Sequence, residues 1–262
     1  MLSGFVMART YERRMAEGLS PLSFLKIRTR RLWPLLVLAA LIGFAAVGGA
    51  PWQVVVLSLL CIPILWGPAI YPLNAPQWSI FFEVIANALH VTVLYRLTFR
   101  HLGLIWLAAF IVLAAYAYRD GHVAFGSTAE QFVGGFPRVI VSYVLGIILW
   151  RLWGDRAPFT LPPVATALIM PLSALLPLLW GTYWLYDLAF VALVNPLLLA
   201  GGLSWKAGRA GEVLGAASYP VYILHIPVLL LAEQTNFVLL FAAPFVFLLA
   251  YAVTAKRSMI GS

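Results

Sequence analysis

Charge is what this sequence has least of. Of its 262 residues only 10% are charged, 17 basic and 9 acidic, while 63% are hydrophobic. A water-soluble domain carries about 25% charged residues and 45–50% apolar ones. A globule of this length could not clothe its surface with so few charges, so a soluble fold and a disordered chain are both excluded. Cysteine is nearly absent too: Cys61 stands alone, so neither an intrachain disulfide nor a cysteine-based zinc site can form. The scarcity of acids leaves a net charge of +8. The excess sits in clusters between apolar runs, the pattern that orients membrane proteins rather than one that binds nucleic acid. The opening residues do not read as a signal peptide. Met1 to Ala8 is apolar for eight residues and precedes Arg9, Arg13 and Arg14, the reverse of the signal-peptide order. That stretch is less than half of the ~20 residues needed to span, and it reads as the tail of a truncated helix.

What is present is a succession of apolar segments, at roughly 34–50, 51–71, 77–95, 102–118, 136–152, 163–180, 184–200, 218–232 and 237–254. Backbone polar groups cannot stay unpaired in lipid, so these segments are expected to be helices. Proline and glycine punctuate the connections, as in Gly48-Gly49-Ala50-Pro51, Pro72 to Pro76 and Pro162-Pro163. There is no internal repeat. If all nine segments cross, the basic residues divide 9 to 8 between the two sides. If one of the first two does not cross, the split becomes 15 to 2, with only Arg119 and Arg138 opposite the rest. The positive-inside preference selects the second arrangement. Segment 51–71, broken by Pro51, Pro63, Gly67, Pro68 and Pro72, is the expected non-crosser. The expectation is an all-α polytopic bundle: one integral-membrane domain over 1–262, with about eight crossings plus one re-entrant or broken segment. Residues 9–31 and the basic C-terminus then face the cytoplasm, and residues 1–8 are the helix tail.

Ionisable side chains inside a bilayer cost several kcal/mol, so each one is a functional candidate. Glu83, in Gln77-Trp78-Ser79-Ile80-Phe81-Phe82-Glu83, lies about six residues into its segment, roughly 9 Å from the start. Trp78 and Ser79 lie close to its helical face. His225 shares a face with Tyr222 and Tyr219, each three residues from the next. A stripe of hydroxyls and an imidazole suits a polar substrate or proton transfer. The bland alternative for each is a polar group pairing with a neighbouring helix. Pro227 frees a backbone carbonyl near His225. His90, seven residues after Glu83, is a weaker candidate, and four scattered histidines make no metal set. Arg28 and Arg31 crowd the mouth of the first complete segment with Lys26 and Arg30, where guanidinium forks grip phosphate. On charge alone, topology and the binding of anionic lipid headgroups are the better reading of this cluster. Asp187, among interfacial aromatics, reads as structural.

Three patterns now fall in one order: Arg28-x-x-Arg31-x-x-Pro34, then Asn74-Ala75-Pro76-Gln77-Trp78-Ser79-x-x-x-Glu83, then Ser218-Tyr219-x-x-Tyr222-x-x-His225-x-Pro227. With Leu2-Ser3-Gly4-Phe5 at the start, the chain resembles the acyltransferase 3 family of bacterial membrane O-acyltransferases over essentially its whole length. The resemblance implies an inner-membrane enzyme that moves an acyl group from acyl-CoA, acetyl-CoA in the simplest case, to a hydroxyl of a carbohydrate or glycolipid, with no bound cofactor or metal. It departs from the family in one respect. There, a helix carrying an Arg and a His, the proposed base, precedes the Ser-Gly-Phe segment, and this sequence starts inside that segment. The expectation is a truncated or mis-started chain, inactive as it stands.

The resemblance places Arg28 and Arg31 at the phosphates of CoA, and Glu83 and His225 at the reaction, with Asn74, Trp78, Ser79 and Tyr222 lining the substrate site. His225 becomes the base because it is the embedded histidine with a hydroxyl-rich face, and Glu83 its charge partner. Two other classes compete with this reading. A transporter or flippase of a sugar or anionic substrate should show repeat symmetry and paired discontinuous helices. A non-catalytic envelope-assembly subunit would make no acyl transfer at all.

Overall fold

The computed structural model describes residues 1–67, 69–173, 175–176, 183–205, 208–234 and 246. Pro68, Lys206 and, apart from residue 246, the apolar run 237–254 with its basic tail lie outside the described residues. Those described form helices and turns, with no strand among them. In chain order they are α1 (Leu2–Ala16), α2 (Pro21–Ala46), α3 (Trp52–Leu59), α4 (Gln77–Thr92), α5 (Phe99–Asp120), α6 (Gly135–Trp153), α7 (Pro163–Ser173), α8 (Tyr183–Leu203) and α9 (Arg209–Gln234). Five are long and apolar enough to cross a membrane: α2, α5, α6, α8 and the Gly211–Gln234 part of α9. The chain is an all-α, multi-pass membrane protein. α4, with 16 residues, is shorter than a full span and carries Gln77, Glu83, Asn87 and His90. α7 is shorter still, with 11 residues.

Local chemistry sets the ends of these helices. Thr98 caps α5, its hydroxyl accepting from the His101 amide, and Gly121 ends that helix at φ 78, a left-handed position suited to glycine. A π-helical turn over Phe190–Val194 interrupts α8 ahead of Pro196. Segment 51–71 does break. α3 lasts eight residues, Cys61 turns at φ 58, and Pro63 prevents the helix from resuming. A helix ending there leaves carbonyls without intrahelical partners, which is costly away from water. Side chains from elsewhere meet them. Trp33 Nε1 donates to the Leu59 carbonyl at 3.0 Å, the Tyr71 hydroxyl to the Cys61 carbonyl at 3.0 Å, and Gln77 Nε2 to the Ser58 carbonyl.

The chain divides into two compact units. Met1–Leu25, Phe82–Gly126 and Glu130–Lys206 make the first; Lys26–Phe81, Ser127–Ala129 and Ala207–Ser262 make the second. In the first, α1 lies along α6 at a distance only glycine permits. A Cβ on Gly4 would run into the Tyr143 carbonyl, and one on Gly146 into the Met1 carbonyl and the Phe5 amide. Where lipid is as apolar as leucine, such close backbone approach is what holds helices together. Phe5 sets its ring edge-on to Trp150 at 5.6 Å beside this crossing. Met7, Ala8, Tyr11 and Met15 of α1 then pack with Ala86 and Val91 of α4, Leu102 of α5 and Ile147 of α6. A second cluster joins Leu113 and Ala117 of α5 to Val141 of α6 and Leu188 of α8. Asp187 fixes that junction by accepting from the Val123 amide at 3.1 Å, a structural role.

In the second unit, α2 buries Leu32, Leu35, Leu36, Ala39 and Ala40. Gly43 lies against the Leu73 carbonyl, again with no room for a Cβ. The Tyr219 hydroxyl of α9 donates to the Leu32 carbonyl at 2.9 Å, tying α9 to α2. Pro34, Pro220 and Pro227 lie inside α2 and α9, and each removes one helical hydrogen bond.

Candidate functional site

Seven of the eight residues singled out in the sequence fall in the second unit, and Glu83 falls in the first. Within the second unit the structure brings Ser79 and Tyr222 together across 143 positions of sequence, oxygen to oxygen at 2.7 Å. The Ser79 hydroxyl lies 3.1 Å and the Tyr222 hydroxyl 3.4 Å from the Pro76 carbonyl, so one of the two donates to that carbonyl and the other to its hydroxyl neighbour. Either way the Tyr222 oxygen keeps a lone pair to accept a further hydrogen bond. Tyr222 is 38% exposed, and Trp78 and Ser79 are half-buried.

His225 is oriented by its own helix. Its Nδ1 lies 2.6 Å from the Tyr222 carbonyl, three residues back. A carbonyl can only accept, so Nδ1 carries the proton and Nε2 holds the lone pair. The Tyr222 carbonyl, a backbone oxygen, orients the ring. The rings of Tyr222 and His225 lie 5.9 Å apart, as their shared face requires.

Asn74 is 0% exposed, and neither atom of its amide has a hydrogen-bond partner among the described residues. Gln77 Oε1 at the start of α4 and Ser58 Oγ in the broken segment are also buried and unpartnered. The great majority of buried polar side chains are hydrogen-bonded, so these four atoms set this part of the second unit apart as a candidate contact for a polar molecule. On α2, Arg28 is buried and Arg31 is exposed. Both are engaged in further interactions with their surroundings.

The first unit holds the residues that the sequence did not reveal. Ser3 Oγ donates to Glu83 Oε1 at 3.1 Å, which links the start of α1 to α4. Further along the same two helices, Glu12 accepts from Arg151 Nη2 at 2.6 Å and Nε at 3.1 Å, and lies 3.4 Å from His90 Nε2. Arg151 also donates to the carbonyls of Leu97 at 2.6 Å and Tyr95 at 3.1 Å, just past the end of α4. His90 Nδ1 lies 3.0 Å from the Tyr143 hydroxyl, which donates to Asn87 Oδ1 at 2.8 Å. Burial opposes the charge on Glu12, but the hydrogen bonds from His90 and Arg151 outweigh it and hold the carboxyl below its ordinary range. His90, a weak candidate by sequence, is thus a fully buried member of a polar network. Its partner Glu12 gave no signal, because an acid among basic residues reads as an exposed one.

Polar side chains buried among helices long and apolar enough to span define an integral membrane protein. The chain belongs to the acyltransferase 3 family: the sequence pattern of that family's acyltransferase domain matches residues 1–255. It is also similar to a Rhizobium radiobacter protein described as "Protein 2 in picA locus", 32% identical over 140 residues, covering 44% of this chain and 73% of that protein. No solved structure matches it.

Proposed function

We propose that the protein is a bacterial inner-membrane O-acyltransferase that moves an acyl group, acetyl in the simplest case, from acyl-CoA to a hydroxyl of a carbohydrate or glycolipid. The observation that carries this reading is the His225 imidazole, pinned through Nδ1 so that Nε2 is the free base, on the same helix face as a Tyr222 hydroxyl already engaged with Ser79. In this reading Nε2 takes the proton of the acceptor hydroxyl as its oxygen attacks the thioester carbonyl carbon. The buried amide of Asn74 supplies the N–H that the developing oxyanion needs. Collapse breaks the carbon–sulfur bond, and the proton passes from imidazolium to the CoA thiolate. Tyr222, Ser79 and Trp78 position the acceptor. Arg28 and Arg31, three residues apart on α2, hold the CoA phosphates. Glu83, a half-buried carboxylate one turn beyond Ser79 on α4, is a further residue on which transfer depends.

The proposal includes the arrangement in the membrane: about eight crossings, with the broken segment 51–71 not crossing, and residues 9–31 and the C-terminus cytoplasmic. CoA cannot cross a bilayer, so in this reading the phosphate-binding arginines belong on the inner face, and the basic excess around them supports that side. The test uses inside-out membrane vesicles supplied with radiolabelled acetyl-CoA. Label enters the glycan or glycolipid fraction, and Arg28→Ala with Arg31→Ala raises the KM for acyl-CoA at least tenfold. Absence of label transfer, or a KM untouched by both changes, overturns the reading.

A further inference from the structure

We infer that Ser3 is a positioning residue for Glu83: its hydroxyl fixes the carboxylate through which Glu83 serves acyl transfer, and α1 is the element that holds it there. The inference rests on the reading of Glu83 given above and extends it to a residue that reading does not include. Ser3 Oγ donates to Glu83 Oε1 at 3.1 Å in a partly buried setting, where a hydrogen bond to a carboxylate is stronger than in water.

The rest of α1 accounts for why the hydroxyl is delivered to that point. Adjacent residues on a helix point about 100° apart. Gly4 faces α6 and lets the two backbones touch at Tyr143, which leaves Ser3 facing α4. Phe5, on the next position, locks against Trp150. Two turns further on, Glu12 is held at once by Arg151 of α6 and His90 of α4. α1 is therefore pinned to both neighbours at each end. Between Ser3 and Glu12 it rises ~13 Å, and between Glu83 and His90 α4 rises ~10 Å, so the two helices run side by side in one direction with matched contacts. Sliding α1 by a single residue would rotate Ser3 off Glu83 and Gly4 off α6.

A serine that merely joined two helices would contribute to stability and nothing else. A positioning serine makes a different set of marks. Ser3→Ala is expected to lower kcat about tenfold, the order that one hydrogen bond to a charged group supplies. It leaves the KM for acyl-CoA and the melting temperature in place, and Ser3→Thr, which keeps the hydroxyl, restores most of the rate. Infrared difference spectra against Glu83→Gln isolate the Glu83 carboxylate without any turnover, and Ser3→Ala shifts its antisymmetric stretch while Ser3→Thr does not. Loss of activity in Glu83→Gln with normal kcat in Ser3→Ala overturns this inference alone. So does an unmoved carboxylate band, or a kcat loss that tracks a lowered melting temperature. Full activity in Glu83→Gln overturns the catalytic reading of Glu83 and this inference with it.

Discussion

Replacing Glu12 by Gln tests the network that fixes α1, because the change keeps the shape and removes the charge. The Glu12 and Arg151 side chains are 18% and 20% exposed, so the pair is shielded far better than a surface ion pair, whose contribution is about 0–1 kcal/mol. It is also less costly to desolvate than a fully buried pair. The carboxylate holds Arg151 through Nε and Nη2 and meets His90 as well, and a hydrogen bond to a charged group is worth about 1.5–3 kcal/mol. Glu12→Gln retains one acceptor, so the expected loss is about 2 kcal/mol, and Glu12→Ala loses about 3 kcal/mol. For a chain of this size that lowers Tm by roughly 4–8 °C for Gln. Intrinsic tryptophan fluorescence in detergent follows the transition, with 10 tryptophans as reporters. The control is Arg13→Gln at the Arg13–Glu17 pair, 88% and 58% exposed, which is expected to move Tm by about 1 °C or less. Because Glu12 is held below its ordinary value when folded, its contribution is complete above pH 4.5 and is lost as the pH falls through the folded value. The gap between wild type and Glu12→Gln should close over that acid range. A Glu12→Gln protein that melts with the Arg13→Gln control, or a gap that widens on acidification, would refute the reasoning.

Other consequences follow from the same structure. Gly146→Ala drives a Cβ into the Met1 carbonyl and should destabilise by about 1–3 kcal/mol, whereas Gly103→Ala meets nothing within 4 Å and should be neutral or stabilising by up to about 1 kcal/mol; thermal melts separate the two. Gln77→Leu removes the donor to the Ser58 carbonyl at the end of α3 and should cost about 1–3 kcal/mol by the same assay. Tyr222→Phe and Ser79→Ala each lower acyl transfer about tenfold, and the double variant is no slower than either, since both break one hydrogen bond. Additive losses would show that the two hydroxyls act separately.

Much of the helical order was legible in the sequence, because lipid forces the chain to announce its helices as apolar runs. The segments 102–118 and 136–152 became α5 and α6, extended by a few residues to the Thr98 cap and to glycines at the ends. The break in 51–71 was legible from its prolines. α1 was not legible as a packed helix, since half of it is polar and its burial comes from Gly4 and Gly146, two small residues 142 positions apart. Segment 77–95 reads as a span by hydrophobicity, yet α4 is interrupted at Thr92 by a 3-10 turn over Leu94–Arg96, whose carbonyls Arg151 collects. In the candidate site, spacing alone placed Tyr222 and His225 on one face. It could not choose the partners of that face, because pairings such as Tyr222 with Ser79, or Ser3 with Glu83, depend on which helices meet. Nor could it give the tautomer of His225, which a backbone oxygen decides.

The most direct measurement is the rate at which free CoA thiol appears when the protein, in liposomes, is given acetyl-CoA together with a hydroxylated glycolipid acceptor. Release that requires the acceptor, and that falls about a hundredfold or more in His225→Gln while the fold survives, is the predicted result. Release at the wild-type rate from the His225→Gln protein would contradict the assignment of Nε2 as the base.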